Sequence, residues 1–247
     1  MENPNRQPII HIRGVTRVYK MRGGDIHALR GVDLDIDPGE YVSIMGLSGS
    51  GKSTLFNMIG GLDLPTEGDL TVDGRRLSDM DSRGLAWFRC CRVGYIFQSF
   101  NLIPTLTALE NVMLPCIFRM HDEEESRERG LRALEAVELA NRLDHYPEEL
   151  SGGQMQRVAI ARSLVNDPGI ILADEPTGNL DLKTGESIIQ LLRSLNQDRG
   201  VTVVTVTHDH KMLSVSDRIV WFKEGRVDRI QDKRDVHIRI GHISDGT

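Results

Sequence analysis

Tyr41-Val42-Ser43-Ile44-Met45-Gly46-Leu47-Ser48-Gly49-Ser50-Gly51-Lys52-Ser53-Thr54-Leu55 is the stretch that decides the fold. An apolar, β-branched run predicts a buried strand over Tyr41 to Met45. Gly46 to Ser53 then fits Gly-x-x-x-x-Gly-Lys-Ser/Thr, and a helical pattern follows from Leu55 to Ile59. Strand, loop and helix in that order are the context this motif requires. The glycines let the backbone turn its N–H groups inward as an anion nest, and the following helix aims its positive end at the same point. A polyphosphate fits such a nest. Lys52 supplies a point charge to its β and γ phosphates, Ser53 a hydroxyl to Mg²⁺, and Thr54 a further hydroxyl near the phosphates.

Outward from this loop, β-branched apolar runs alternate with helical patterns, which predicts an α/β fold built on a parallel sheet. Strands are expected at Ile9 to Gly14, Val93 to Phe97, Ile170 to Ala173, Val201 to Thr207 and Ile219 to Lys223, in addition to Tyr41 to Met45. The first of these, with Val32 to Ile36 and Leu70 to Val72, is a candidate for a separate antiparallel sheet. Between Phe97 and Ile170 the chain is rich in helical signals without a convincing strand, which predicts an inserted helical subdomain. Inside it Asp122 precedes Glu123, Glu124 and Glu125 as an N-cap with an acidic first turn, leading to Leu131, Leu134 and Val137 on one face. The tail from Gln231 to Thr247 alternates weakly at Val236, Ile238 and Ile240 and carries no recognisable chemistry.

Composition narrows the function. At 247 residues the chain makes one large domain or two small ones. With 39% hydrophobic and 27% charged residues it reads as an ordinary globular protein. The 30 Lys and Arg against 36 Asp and Glu leave a charge of −6, which disfavours a nucleic-acid partner. The longest apolar stretches, such as Val201 to Val206, fall far short of the roughly 18 residues a membrane span needs, so no direct membrane insertion is expected. The polar start, Met1 to Arg6, lacks the layout of a secretory signal, and the expected location is the cytosol. Cys90, Cys91 and Cys116 are odd in number without Cys-x-x-Cys spacing, so reduced thiols are expected.

Two further motifs carry chemistry. Ile170 to Ala173 is an apolar strand that ends in Asp174-Glu175, and carboxylates at such a strand end sit where open α/β sheets bind ligands. Asp174 can hold Mg²⁺ through its water shell, and Glu175 can polarise the water that attacks a γ-phosphate. Leu150-Ser151-Gly152-Gly153-Gln154 precedes a helix expected to run from Met155 through Leu164. Ser151 can cap that helix while the glycines expose N–H groups at its positive end, which makes a second anion site.

Taken together, these motifs resemble the ATP-binding subunit of an ABC transporter over about residues 9 to 230. The resemblance implies a RecA-like P-loop core with an antiparallel β subdomain, at about 9–98 and 166–230. It also implies a helical subdomain at about 99–165 and leaves 231–247 as a tail of unknown role. It implies ATP and Mg²⁺ as ligands, and a homodimer in which Ser151, Gly152, Gly153 and Gln154 of one subunit close over ATP held by the other. Gln98 is similar to the glutamine that contacts Mg²⁺ and the attacking water. His208, in Thr205-Val206-Thr207-His208-Asp209, resembles the switch histidine at the γ-phosphate. Asn179-Leu180-Asp181 matches the loop that crosses the dimer interface, although Asp181 also suits a helix cap. Tyr19 is placed like the aromatic that stacks on adenine, although an exposed strand tyrosine fits it too.

Gly60 to Asp63, Phe97 to Pro104, Leu106 to Val112 and Ala173 to Asp181 narrow the resemblance to the lipoprotein-release and macrolide-export group, LolD-like and MacB-like. Leu47 stands where that group often has Pro, and Met155 where it often has Gln. The implied role is a Mg²⁺-dependent ATPase that drives a separate transmembrane permease subunit from the cytoplasmic face of the inner membrane. The apolar segment after Gln98, with Asn101 as the polar position at which to probe it, is expected to carry the nucleotide state to that partner. A rival class is a soluble ABC-type ATPase of DNA repair or translation, which the acidic balance disfavours. Another is a nucleotide-binding regulator without turnover, which the intact Glu175 disfavours.

Overall fold

A computed structural model describes residues 7–232. Six strands form the central sheet: β3 (Tyr41–Met45), β6 (Val93–Ile96), β7 (Ile170–Asp174), β8 (Thr202–Thr207), β9 (Arg218–Lys223) and β10 (Arg226–Asp232). Their order is β10-β9-β3-β8-β7-β6, all parallel except the edge strand β10, which runs against β9. Both faces are covered, as parallel sheets demand. Ile171, Ala173 and Val203 join one core cluster, while Ile170, Leu172, Val204 and Val206 join the other. That split is the two-residue period of a strand buried on both sides.

The second sheet is antiparallel, in the order β2-β1-β4-β5, from β1 (Ile10–Tyr19), β2 (Ile26–Ile36), β4 (Glu67–Val72) and β5 (Arg75–Arg76). The expected end of β1 at Gly14 is a bulge rather than an end. Gly14 takes φ 58°, the pairing with β2 shifts register between Ile12 and Val15, and the strand continues to Tyr19. The sheets meet at the β9–β10 turn, where Gly225 N–H donates to the Ser50 carbonyl at 2.8 Å and Arg30 N–H donates to the Gly225 carbonyl at 2.9 Å. That turn also braces the phosphate loop.

Helix α1 (Lys52–Ile59) follows the loop, and α2 (Ser82–Cys91) occupies a stretch for which the sequence reading named no element. Asp81 caps α2 by accepting from Gly84 N–H at 2.7 Å. Between β6 and β7 lie α3 (Ala108–Phe118), α4 (Glu123–Ala136) and α5 (Gly152–Leu164), and α6 (Leu182–Arg199) precedes β8. Asp122 caps α4 as expected, accepting from Glu125 N–H at 2.7 Å, and Leu134 and Val137 are buried. Fully buried Asn111 on α3 ties the preceding loop, exchanging bonds with Ile103 N–H and with the carbonyls of Ile103, Leu106 and Thr107. The cysteines are free. Among the described residues no helix is long and apolar enough to cross a membrane. Val236, Ile238 and Ile240 lie outside the described residues.

Candidate functional site

Parallel pairing brings one end of four strands to one edge. Met45 pairs with Thr207, Asp174 with Val206 and Ile96 with Ala173. The chain leaves these carboxyl ends into the phosphate loop, Asp174-Glu175, Gln98 and His208, the place where open α/β sheets bind ligands.

The phosphate loop requires its glycines individually. A Cβ at Gly46 would stand 2.2 Å from the Phe222 carbonyl oxygen, and one at Gly51, which takes φ 104°, 2.5 Å from that of Ala28. Gly51 opens α1 without a side-chain cap, so the first-turn N–H groups of the helix face outward as donors. Ser50 Oγ is buried with no protein partner, which leaves a further polar atom of the loop without a hydrogen bond. Lys52 Nζ donates to the Gly46 and Leu47 carbonyls, each at 2.9 Å, bridging the loop it belongs to. Burial lowers the pKa of Lys52, against the attraction of Glu175 and Asp174. Leu47 is 83% exposed at the tip of the loop.

Asp174 is half-buried. Burial first and Glu175 second push its carboxyl above the usual range, while Lys52 pulls it back. Glu175 sits in the left-handed region at φ 46°, held by its N–H donating to the Val206 carbonyl at 2.9 Å. Both carboxylate oxygens are engaged, one accepting from Thr207 Oγ1 at 2.9 Å and the other 2.7 Å from His208 Nδ1. His208 is otherwise exposed, at 77% of its side chain. Gln98 Nε2 donates to Asn179 Oδ1 at 3.4 Å, and Asn179 Nδ2 returns a bond to the Gln98 carbonyl at 2.9 Å. Ser53, Gln98 and Asp174 together offer a hydroxyl, an amide oxygen and a carboxylate, the hard oxygen donors that Mg²⁺ takes alongside water and phosphate. These residues fit the ion.

The Ser151 motif builds a capping box. Ser151 Oγ accepts from Gln154 N–H at 3.3 Å and Gln154 Oε1 accepts from Ser151 N–H at 2.9 Å. The helix therefore opens at Gly152, three residues before the expected Met155. Among the described residues no hydrogen bond joins this turn to the phosphate loop; its neighbours include Leu180, Asn179, Phe100 and Thr184. Asp181 caps α6, accepting from Lys183 and Thr184 N–H at 3.1 Å each. Tyr19 donates its hydroxyl to Asp63 Oδ2 at 2.7 Å, and the Arg17 guanidinium covers one ring face at 4.6 Å from the centroid. Adenine stacking would have to use the opposite face.

Sequence reasoning passed over two residues here. Thr207, quoted only as part of a run, orients Glu175 directly. Arg162 grips the loop after Gln98, yet reads in sequence as an ordinary basic residue in the last turn of a helix.

The family described as "ABC transporter" matches residues 29–178. An ABC transporter ATP-binding protein of Methanocaldococcus jannaschii, MJ0796, is 53% identical over 230 residues, which are 92% of this chain and 98% of that protein. The macrolide export ATP-binding/permease protein MacB of Rhodopirellula baltica is 48% identical over 221 residues, 89% of this chain but 32% of that protein. Among solved structures, a dimeric post-hydrolysis state of the MJ0796 cassette bound to ADP and Pi matches with a TM-score of 0.83 and 51% identity, over 91% of this chain and 99% of that one. The chain belongs to the ABC transporter family and is one of its ATP-binding cassettes.

Proposed function

We propose that this chain hydrolyses Mg²⁺-ATP as a homodimer and drives a separate transmembrane permease of the macrolide-export or lipoprotein-release type, bound at the cytoplasmic face of the membrane. The observation that carries this reading is the convergence at one sheet edge of the phosphate loop, Asp174, Glu175, Gln98 and His208. In it, Lys52 moves from the loop carbonyls to the β and γ phosphates, Glu175 accepts the proton of the attacking water, and Thr207 and His208 hold that carboxylate in place. Ser53, Gln98 and Asp174 would hold Mg²⁺, which would supply neutralisation of the phosphate charge. Ser151 to Gln154, without bonds to the phosphate loop in this chain, serve the ATP held by the second copy, with Asp181 at the interface between them; Tyr19 stacks on adenine. The core and β subdomain span about 9–98 and 166–230, and the helical subdomain about 99–165.

The permease docks in a groove of about 830 Å³ lined by Trp87, Tyr95, Phe97, Asn101, Leu114 and Phe118. Phosphate release by the pure chain tests hydrolysis. Glu175→Gln keeps the shape but cannot accept a proton, so it should bind ATP, hydrolyse at least about a hundredfold more slowly, and accumulate as a dimer on size exclusion with Mg²⁺-ATP. Adding Ser151→Arg should return the monomer; a dimer that survives it refutes the assignment of that turn to the partner's ATP.

A further inference from the structure

The loop after Gln98 passes through two consecutive non-glycine residues in the left-handed region, Phe100 at φ 60° and Asn101 at φ 51°. Asparagine tolerates that conformation, but a bulky side chain such as that of Phe100 avoids it unless the surroundings hold it there. The turn's own bonds, Phe100 N–H to the Phe97 carbonyl at 3.2 Å and Asn101 N–H to the Ser99 carbonyl at 2.6 Å, hold it from within, and one guanidinium holds it from outside. Arg162, in the last turn of α5, donates Nη2 to the Phe100 carbonyl at 2.7 Å and Nη1 to the Asn101 carbonyl at 2.5 Å. Among the described residues Arg162 pairs with no carboxylate, so both ends of its planar fork serve the backbone. Burial lowers its pKa, in keeping with a charge withdrawn from water.

The same loop is tied at its other end. Asn179 bonds the Gln98 carbonyl at 2.9 Å and receives the Gln98 amide at 3.4 Å. The Phe100 ring lies beside the Ser151 turn, since a Cβ at Gly152 would stand 4.0 Å from Phe100 Cζ. Helix α5 thus carries the Ser151 turn at its start and the grip on Phe100 and Asn101 at its end, about 16 Å apart along a rigid rod.

Building on the ATPase reading, we propose that Arg162 is a positioning residue: its fork on the Phe100 and Asn101 carbonyls holds the loop so that Gln98 faces the nucleotide, and it couples Gln98 to the Ser151 turn through α5. Lysine cannot reproduce the fork, so Arg162→Lys keeps the charge and loses the geometry; Arg162→Met loses both.

The test uses the full chain with two readouts. Hydrogen exchange should show faster exchange at the amides of 99–102 in Arg162→Lys and Arg162→Met, with the central strands unchanged. Steady-state assays should show ATP affinity within about twofold of the parent, kcat lowered at least about tenfold in Arg162→Met and less in Arg162→Lys, and a higher Mg²⁺ concentration at half-maximal rate. If Arg162 acts through Gln98, Arg162→Lys should add nothing to Gln98→Ala. Unchanged exchange at 99–102, additive effects with Gln98→Ala, or a loss of stability with kcat and Mg²⁺ dependence intact would overturn the proposal. Should Arg162→Met not fold, Arg162→Lys and the cycle with Gln98→Ala decide it. A parent chain that releases no phosphate would refute the ATPase reading instead, while the exchange readout still judges the grip of Arg162.

Discussion

Lys52 shows how far a single side chain can be read. Its place in the motif predicts a cation on a polyphosphate, and in the folded chain Nζ bridges the Gly46 and Leu47 carbonyls, a neutral stand-in for phosphate oxygens. Lys52→Ala removes the charge and loosens the loop together. It should weaken ATP binding at least about tenfold, or ~1.4 kcal/mol, by isothermal titration; affinity within about threefold of the parent would mean that the loop does not hold the nucleotide. Glu175, Asp174 and Lys52 were legible because the motifs place them next to a strand end. Thr207 and Arg162 were not, since each acts on a residue remote in sequence, Thr207 on Glu175 and Arg162 on Phe100 and Asn101. Asn101 also changes its standing as a probe. At φ 51° a bulky charged side chain there would strain the backbone as well as fill the groove.

Helix α5 carries its start signal in sequence, since Ser151 and Gln154 form the reciprocal cap that their spacing predicts. Its tight contact with α6 at Gly153 does not appear in sequence. A Cβ at Gly153 would stand 2.4 Å from Thr184 Cγ2, and Thr184 is itself pinned by the Asp181 cap, its Oγ1 donating to Asp181 Oδ2 at 2.5 Å. Gly153→Ala therefore overpacks the α5–α6 contact, at a cost of roughly 1–3 kcal/mol. A thermal scan should show Tm lowered by about 2–4 °C per kcal/mol, and the ATP-dependent dimer of Glu175→Gln should weaken with it. An unchanged Tm would mean that α6 yields freely and that the glycine is not required by packing.

For the whole molecule, the feature that no local pattern announces is the groove. Trp87 comes from α2, Phe97 from the residue just after β6, and Leu114 and Phe118 from α3. Phe118 is 76% exposed at the end of α3, outside the catalytic edge, and so is the better probe of docking. Phe118→Glu should leave phosphate release by the isolated chain within about twofold of the parent and abolish co-purification of the permease, because burying an unpaired carboxylate in an apolar groove is costly. Tight co-purification with full transport would remove the groove as the docking site.

By itself the sequence determined the α/β class, the separate antiparallel sheet, the phosphate loop, the two strand-end carboxylates and the capped Ser151 turn. All of these depend on neighbours a few residues apart, through glycine geometry, strand periodicity and helix capping, or on the order of elements along the chain. Only the tertiary structure decided that Met45, Thr207, Asp174 and Ile96 end at one edge, that β1 runs through a bulge at Gly14, and that Thr207, Asn179 and Arg162 orient Glu175, Gln98 and the loop behind it. Those arrangements rest on strand register and on hydrogen bonds between segments 32 to 81 residues apart, such as Thr207 to Glu175 and Gln98 to Asn179. Bonds of that span form when the layers pack, and they leave no periodicity along the chain from which to read them.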